Sequence, residues 1–177
     1  LPNISQALDS VRAYQWEIAF QLPRTGVEEA GSIEPYLTLA AKQVTAMGFT
    51  SEPIEVHRTN DKVFYPGKAS PEEVTITFDN FYKENRMVGL ALWQWFQTVF
   101  NPMTGVFSNG TSTTTKVQRM DVMHLDSAGS PDYQTSLFGV WPVSWKTAEF
   151  NYGTNEFHTI EVVFRYDFMD HTEALDG

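Results

Sequence analysis

The chain contains no cysteine. A disulfide framework, a thiolate metal site and a cysteine nucleophile are therefore excluded. Basic residues are scarce: 12 lysines and arginines stand against 22 aspartates and glutamates, for a net charge of -10. A groove that grips nucleic acid carries the opposite balance, and the excess acid reads first as solubility. No stretch approaches the roughly 20 consecutive apolar residues of a membrane span. The opening Leu1-Pro2-Asn3-Ile4 lacks a basic segment followed by an apolar one, so no signal peptide is expected.

Aromatic residues are abundant, with 13 Phe, 7 Tyr and 5 Trp. Such a set favours a β-rich core, or a surface that buries large rings on assembly. With 42% hydrophobic and 19% charged residues, the composition is globular, and 177 residues suit a single domain over 1–177. Three segments alternate with period two: Tyr14–Leu22, Val74–Asp79 and Ile160–Phe168, the last apart from Val163. Each reads as a strand with one buried face. They lie at the start, middle and end of the chain, so one sheet system is expected to close the whole domain.

A helix is expected over 80–100. Asp79 or Asn80 can cap it through a backbone N–H. Val88, Leu92, Trp95 and Val99 share one helical face, and Asn101-Pro102 ends it. Trp93 and Phe96 fall off that stripe, as in a helix that packs on a sheet and on a neighbour. Thr25–Glu34 and Ser108–Thr115 read as loops.

Residues 37–66 read as two extended arms, Leu37–Phe49 and Ile54–Tyr65, joined through Thr50-Ser51-Glu52-Pro53, with a further bend at Asn60-Asp61. Few positions are large and apolar, so the hairpin cannot bury itself on its own core. On a lone subunit it would expose strand edges, an aggregation hazard. Closure with copies of itself would remove them. An ordinary solvent-exposed hairpin is the plainer alternative.

Ala41-Lys42-Gln43-Val44-Thr45-Ala46-Met47-Gly48, Ile54-Glu55-Val56, Val63-Phe64-Tyr65-Pro66-Gly67-Lys68 and Val74-Thr75-Ile76-Thr77-Phe78, in that order, resemble the tail tube proteins of contractile-tailed bacteriophages. Arg12–Ile18 is similar to that family's first strand. Leu137–Ser144 and Asn155–Asp167 are similar to its late turn and closing strand. The resemblance runs from about Arg12 to Asp167. It implies a mainly β fold, a β-sandwich or barrel with one flanking α-helix and a long β-hairpin. It further implies hexameric rings stacked into a tube, six hairpins lining the lumen as one barrel, and dsDNA passing through without sequence-specific binding. The implied partners are further copies of the chain, the tail sheath, baseplate and tail-terminator proteins, and a tape-measure protein in the lumen. The implied setting is the virion tail, after assembly in the host cytoplasm, with no membrane binding. The 1–11 arm and the tail after Asp167 are expected to contact neighbouring rings.

No enzyme motif interrupts this reading: G-x-S-x-G, H-E-x-x-H, the P-loop, G-x-G-x-x-G and the EF-hand loop are all missing. Asp121, His124 and Asp126 cannot share one side of a strand, and Asp167, Asp170 and His171 read as a polar tail. Catalytic residues, metal ligands and cofactors are not expected, and the chain is expected not to be an enzyme. Period two along the arms turns Val44, Ala46, Ile54 and Val56 toward the subunit body, and Gln43, Thr45, Glu55 and His57 toward the lumen. Three acidic residues (Glu52, Glu55, Asp61) stand against four basic ones (Lys42, Arg58, Lys62, Lys68) between positions 42 and 68. Either the basic side chains, Lys42, Arg58 and Lys62 among them, turn to neighbouring subunits, or the lumen is not strongly acidic. Two rival readings share the residues: a tube subunit of a bacterial secretion or contractile injection apparatus, and a monomeric β-sandwich that stacks sugars on exposed tryptophans, with Trp141 and Trp145 as the candidates.

Overall fold

In the computed structural model, residues 12–83, 86–107 and 115–173 are described. The expected arm 1–11, nearly all of the Ser108–Thr115 loop and the last four residues lie outside them. The elements run β1 (Trp16–Ala19), α1 (Ala30–Ala40), β2 (Ala41–Val44), β3 (Phe49–His57), β4 (Lys62–Pro71), β5 (Val74–Asp79), β6 (Tyr82–Lys83), β7 (Arg86–Met87), α2 (Val88–Val99), β8 (Phe100–Asn101), β9 (Val106–Phe107), β10 (Val117–Leu125), β11 (Pro131–Thr147), β12 (Thr159–Arg165) and β13 (Phe168–Glu173). The fold is mainly β, as expected, but two helices accompany the strands among the described residues.

Seven strands form one antiparallel sheet in the order β1-β10-β11-β12-β5-β2, with β13 added on β11. The long strand β11 changes partners midway. Its first half pairs with β10 on one edge and β13 on the other, and its second half, from Trp141, pairs with β12. Gly139, at φ +67°, sits at the changeover. There the Asp167 amide donates to the Phe138 carbonyl at 2.8 Å. A bulge at Pro142/Ser144 follows. Strands that cross between sheet halves turn corners at such bends.

The alternating segments bury most of what they should, although Tyr14 and Phe168 at their outer ends are exposed. Ile18, Phe20 and Leu22 are buried at the start, Val74, Ile76 and Phe78 in the middle, and Ile160, Val162 and Phe164 at the end. On α2, Val88, Leu92 and Trp95 form the buried stripe. The Trp95 ring lies 5.2 Å from that of Phe164, and its Nε1–H donates to the Thr115 carbonyl at 2.8 Å. Trp93, off that stripe, is half-buried and rests on Trp145.

The helix begins later than expected, at Val88, because the short β6–β7 hairpin intervenes. Asn80 still caps it: its Oδ1 accepts from the Gly89 amide at 3.2 Å. Helix α1 replaces part of the expected loop and part of the expected first hairpin arm. Its buried residues Ala30, Ile33, Leu37 and Ala40 recur at helical spacing. Gly31 and the interior Pro35, both poor helix formers, disguise that stripe.

The expected C-terminal tail is a strand over Phe168–Glu173, paired with β11 from Tyr133↔Glu173 to Phe138↔Phe168. The late turn implied by the resemblance is also strand interior: Gly139–Pro142 lies within β11.

Candidate functional site

The β3–β4 hairpin pairs only with itself and forms a separate two-stranded sheet. It spans Phe49–Pro71, later than the expected 37–66, and its turn is at 58–61, closed by the Arg58 amide donating to the Asp61 carbonyl at 2.8 Å. The expected turn Thr50–Pro53 is strand interior, with a bulge between Ser51 and Pro53. Pro53 faces Pro66 across the ribbon. Neither proline has an amide to donate, which a ribbon with two outer edges tolerates and a central strand does not. Gly67 is needed there because a Cβ would collide with the Glu52 carbonyl.

Opposed residues in an antiparallel pair share a face. The pairs Ile54↔Tyr65 and Val56↔Val63 make one face apolar. The pairs Glu55↔Phe64 and His57↔Lys62 make the other face polar around one ring. On that polar face Lys62 Nζ lies 2.6 Å from Glu55 Oε1, and His57 Nε2 lies 3.3 Å from the same oxygen. Every residue of β3 is exposed, and Ile54, Phe64 and Tyr65 keep 54%, 63% and 50% of their surface in solvent. The expectation that Ile54 and Val56 pack on their own subunit is therefore corrected: they meet solvent because the ribbon stands off the main sheet.

The sequence-predicted residues divide between two places. Glu55, His57, Arg58 and Lys62 are on the ribbon. Lys42, Gln43 and Thr45 are not, since β2 belongs to the main sheet. Lys42 Nζ lies 3.6 Å from Asp79 Oδ1, Gln43 is opposite Thr77, and Thr45 exchanges hydrogen bonds of 2.9 and 2.8 Å with the backbone of Thr75. Grouping them with Glu55 and His57 assumed two arms of one hairpin folded at Thr50–Pro53, whereas β2 pairs with β5 in the main sheet and the ribbon begins only at Phe49. What sequence reasoning missed is the β4 half of the apolar face: Val63 and Tyr65 join Ile54 and Val56 only once the turn is moved to 58–61.

The base of the ribbon is anchored. The Tyr166 hydroxyl donates to the Gly48 carbonyl, and the Phe49 and Tyr166 rings meet edge to face at 6.3 Å. Burial pushes the Tyr166 hydroxyl above the usual tyrosine range; the Gly48 amide opposes this and Glu72 adds to it. Glu72 and Glu73 are engaged with Thr50 and Arg165 respectively.

The suggested metal-ligand groups are occupied elsewhere. Asp121 accepts from Arg119 and Ser136, Asp126 caps the turn through the amides of Ala128 and Ser130, and Asp167 holds Lys116. His171 bonds Thr135 and lies on a strand. None of the five tryptophans is exposed, which removes the observation behind sugar stacking.

Comparison with known proteins agrees with this architecture. Among curated proteins no sequence matches. A chain of the anti-feeding prophage baseplate superposes with a TM-score of 0.68 at 11% identity, covering 93% of this chain and 97% of that one. A chain of the PVC extracellular contractile injection system, from its sheath–tube complex in the extended state, gives 0.66 at 12% identity over 98% and 99%. The SPP1 tail tube gives 0.51 at 13% identity over 94% and 81%. The family model described as T4-like virus tail tube protein gp19 matches residues 31–170, most of the chain. That span runs from α1 through the projecting ribbon to β13, and the chain belongs to the family of T4-like virus tail tube proteins.

Proposed function

We propose that this tail tube protein assembles into hexameric rings that stack as the inner tube of a contractile tail, and that the six β3–β4 ribbons close into one barrel around the lumen. The observation that carries this is a ribbon with two outer edges and an apolar face, Ile54, Val56, Val63 and Tyr65, that its own subunit does not cover. Closing such ribbons on one another satisfies their edges and buries that face against the ring. The opposite face, with Glu55 and His57, then lines the lumen. Lys62 is neutralised within its own ribbon by Glu55, so it supplies no free cation to hold phosphate. Arg58, at the turn, is left for a neighbouring ribbon, while Lys42 and Gln43 sit on β2 beside the ribbon's root.

In this reading the chain is structural and carries no catalysis. Double-stranded DNA passes through the lumen without sequence readout. Sheath, baseplate, terminator and tape-measure proteins meet the finished tube, which lies in the virion after assembly in the host cytoplasm. A second reading, a tube subunit of an injection particle with a protein cargo, is favoured by the higher TM-scores to chains of the two injection particles than to the SPP1 tail tube. Isolating the particle separates the readings: a DNA-filled head supports the first, and a headless particle with protein in its lumen supports the second.

Electron microscopy of the purified chain at rising concentration tests the assembly itself. Rings or hollow tubes are expected from the unaltered chain and are lost in Ile54→Asp. A chain that stays monomeric even with a baseplate template, or an Ile54→Asp variant that builds normal tubes, would overturn the ribbon-barrel assignment.

A further inference from the structure

A second surface lacks a partner. Beside the first half of α2 lies an apolar cavity of about 340 Å³, walled by Leu90, Trp93, Trp145, Phe150 and Ile160, with His158 at its edge. Its polar groups are arranged to donate. The Gly89 amide fixes Asn80 Oδ1, so the Asn80 amide NH₂ points to His158 Nδ1 at 3.3 Å. That nitrogen therefore accepts, and the ring proton sits on His158 Nε2. Both His158 Nε2 and Trp145 Nε1 are buried with no hydrogen-bond partner among the described residues. An apolar cavity whose wall residues Trp145 and His158 keep buried, unmet N–H groups suits an apolar group that brings oxygen acceptors.

The chain carries such a group at the other end of the same helix. The β8–β9 hairpin, residues 100–107, has no charged residue although the chain carries a net charge of -10. Its tip is held rigid: Asn101 Oδ1 accepts from the Met103 amide at 3.0 Å, the Asn101 carbonyl accepts from Gly105 at 2.8 Å, and the Phe100 and Phe107 rings meet at 4.7 Å. Met103 and Val106 are 87% and 61% exposed. Twelve helical residues, about 18 Å at 1.5 Å per residue, separate the start of α2 from this hairpin. A subunit's own β8–β9 tip therefore cannot readily fill its cavity.

We propose that the cavity beside α2 receives the β8–β9 tip of a second copy, Met103 and Val106 entering the apolar walls, with carbonyls of the turn taking the Trp145 and His158 protons once those two rings shift to uncover them. A projection at one end of a helix and a receptor at the other make a head-to-tail contact, which repeats around a ring or along a filament and does not stop at a dimer. The contact rests on the tube reading only for what the repeated copies build.

The cysteine-free sequence allows a direct test. Met103→Cys and Leu90→Cys are made in separate copies of the full chain, mixed and mildly oxidised, with circular dichroism confirming each fold. Both positions are solvent-accessible, with Leu90 47% exposed. A disulfide-linked dimer several-fold more abundant in the mixture than in either variant alone is expected, and it should persist when both copies also carry Ile54→Asp. No enrichment over the single variants overturns the inference. So does capture of the Leu90→Cys copy by a protein of another mass. Tubes without the cross-link sink this contact and leave the tube reading standing; the cross-link without rings or tubes does the reverse.

Discussion

The Tyr166 hydroxyl grips Gly48 on both sides, donating to its carbonyl at 3.0 Å and accepting from its amide at 3.3 Å. This ties the end of the closing strand to the root of the projecting ribbon. Tyr166→Phe keeps the ring contact with Phe49 and loses both bonds, at a cost of about 1–3 kcal/mol. Amide exchange should accelerate first at the ribbon base. The pH dependence follows from the raised pKa of the hydroxyl, which burial keeps in its neutral form. A folded-state value above the unfolded one gives stability that is complete below about pH 10 and is lost as pH rises through the folded value. Urea midpoints between about pH 8 and pH 11 should therefore converge for the two proteins as the solution becomes alkaline. Parallel curves would remove Tyr166 from the alkaline transition.

Gly139→Ala should be costly for two reasons. The position has φ +67°, which penalises an L side chain by roughly 1–2 kcal/mol. A Cβ there would also collide with the Asp167 carboxylate, which accepts from Lys116 Nζ at 2.7 and 2.9 Å. Gly105 and Gly129 share the backbone conformation but have open space around a Cβ. Alanine at those positions should cost the backbone part alone. Equal losses at all three sites in chemical denaturation would show that the Asp167 contact contributes nothing.

Trp95→Phe removes a buried N–H bond to the Thr115 carbonyl while leaving an aromatic ring near Phe164. A loss of about 1–3 kcal/mol is expected, with an unchanged denaturant slope. Assembly should survive, because Trp95 is 0% exposed and takes no part in either outward-facing surface.

Glu55→Lys dissolves the Glu55–Lys62 pair and places cationic side chains side by side on the polar ribbon face. Folding stability should change by less than about 1 kcal/mol, since the pair is exposed. Genome release through tubes of this variant should slow, and more so at low salt, where phosphate contacts are strongest. Release at the ordinary rate would take Glu55 out of the lumen.

The main sheet was largely legible because its strands bury one face only, and period two writes that directly into Val74-Ile76-Phe78 and Ile160-Val162-Phe164. The half-buried Val163, the one exception to that alternation, stands opposite Ser144, next to the bulge in β11. Helix α1 was hidden because Ile33, Leu37 and Ala40 share a span with Gly31 and Pro35. The ribbon was placed too early because Pro53 reads as a turn residue, whereas an isolated two-stranded ribbon has outer edges where proline costs little. The cavity beside α2 carries no local signature, since it arises from residues as far apart as Leu90 and His158.

The change of partners along β11 also has a mechanical meaning. The half of the sheet holding β1, β10 and β13 and the half holding β12, β5 and β2 are joined through one continuous 17-residue strand. Any load that pulls the two halves apart runs along covalent backbone in β11 before it reaches interstrand hydrogen bonds. A subunit wired this way is expected to resist stretching across its corner better than peeling at its outer strands.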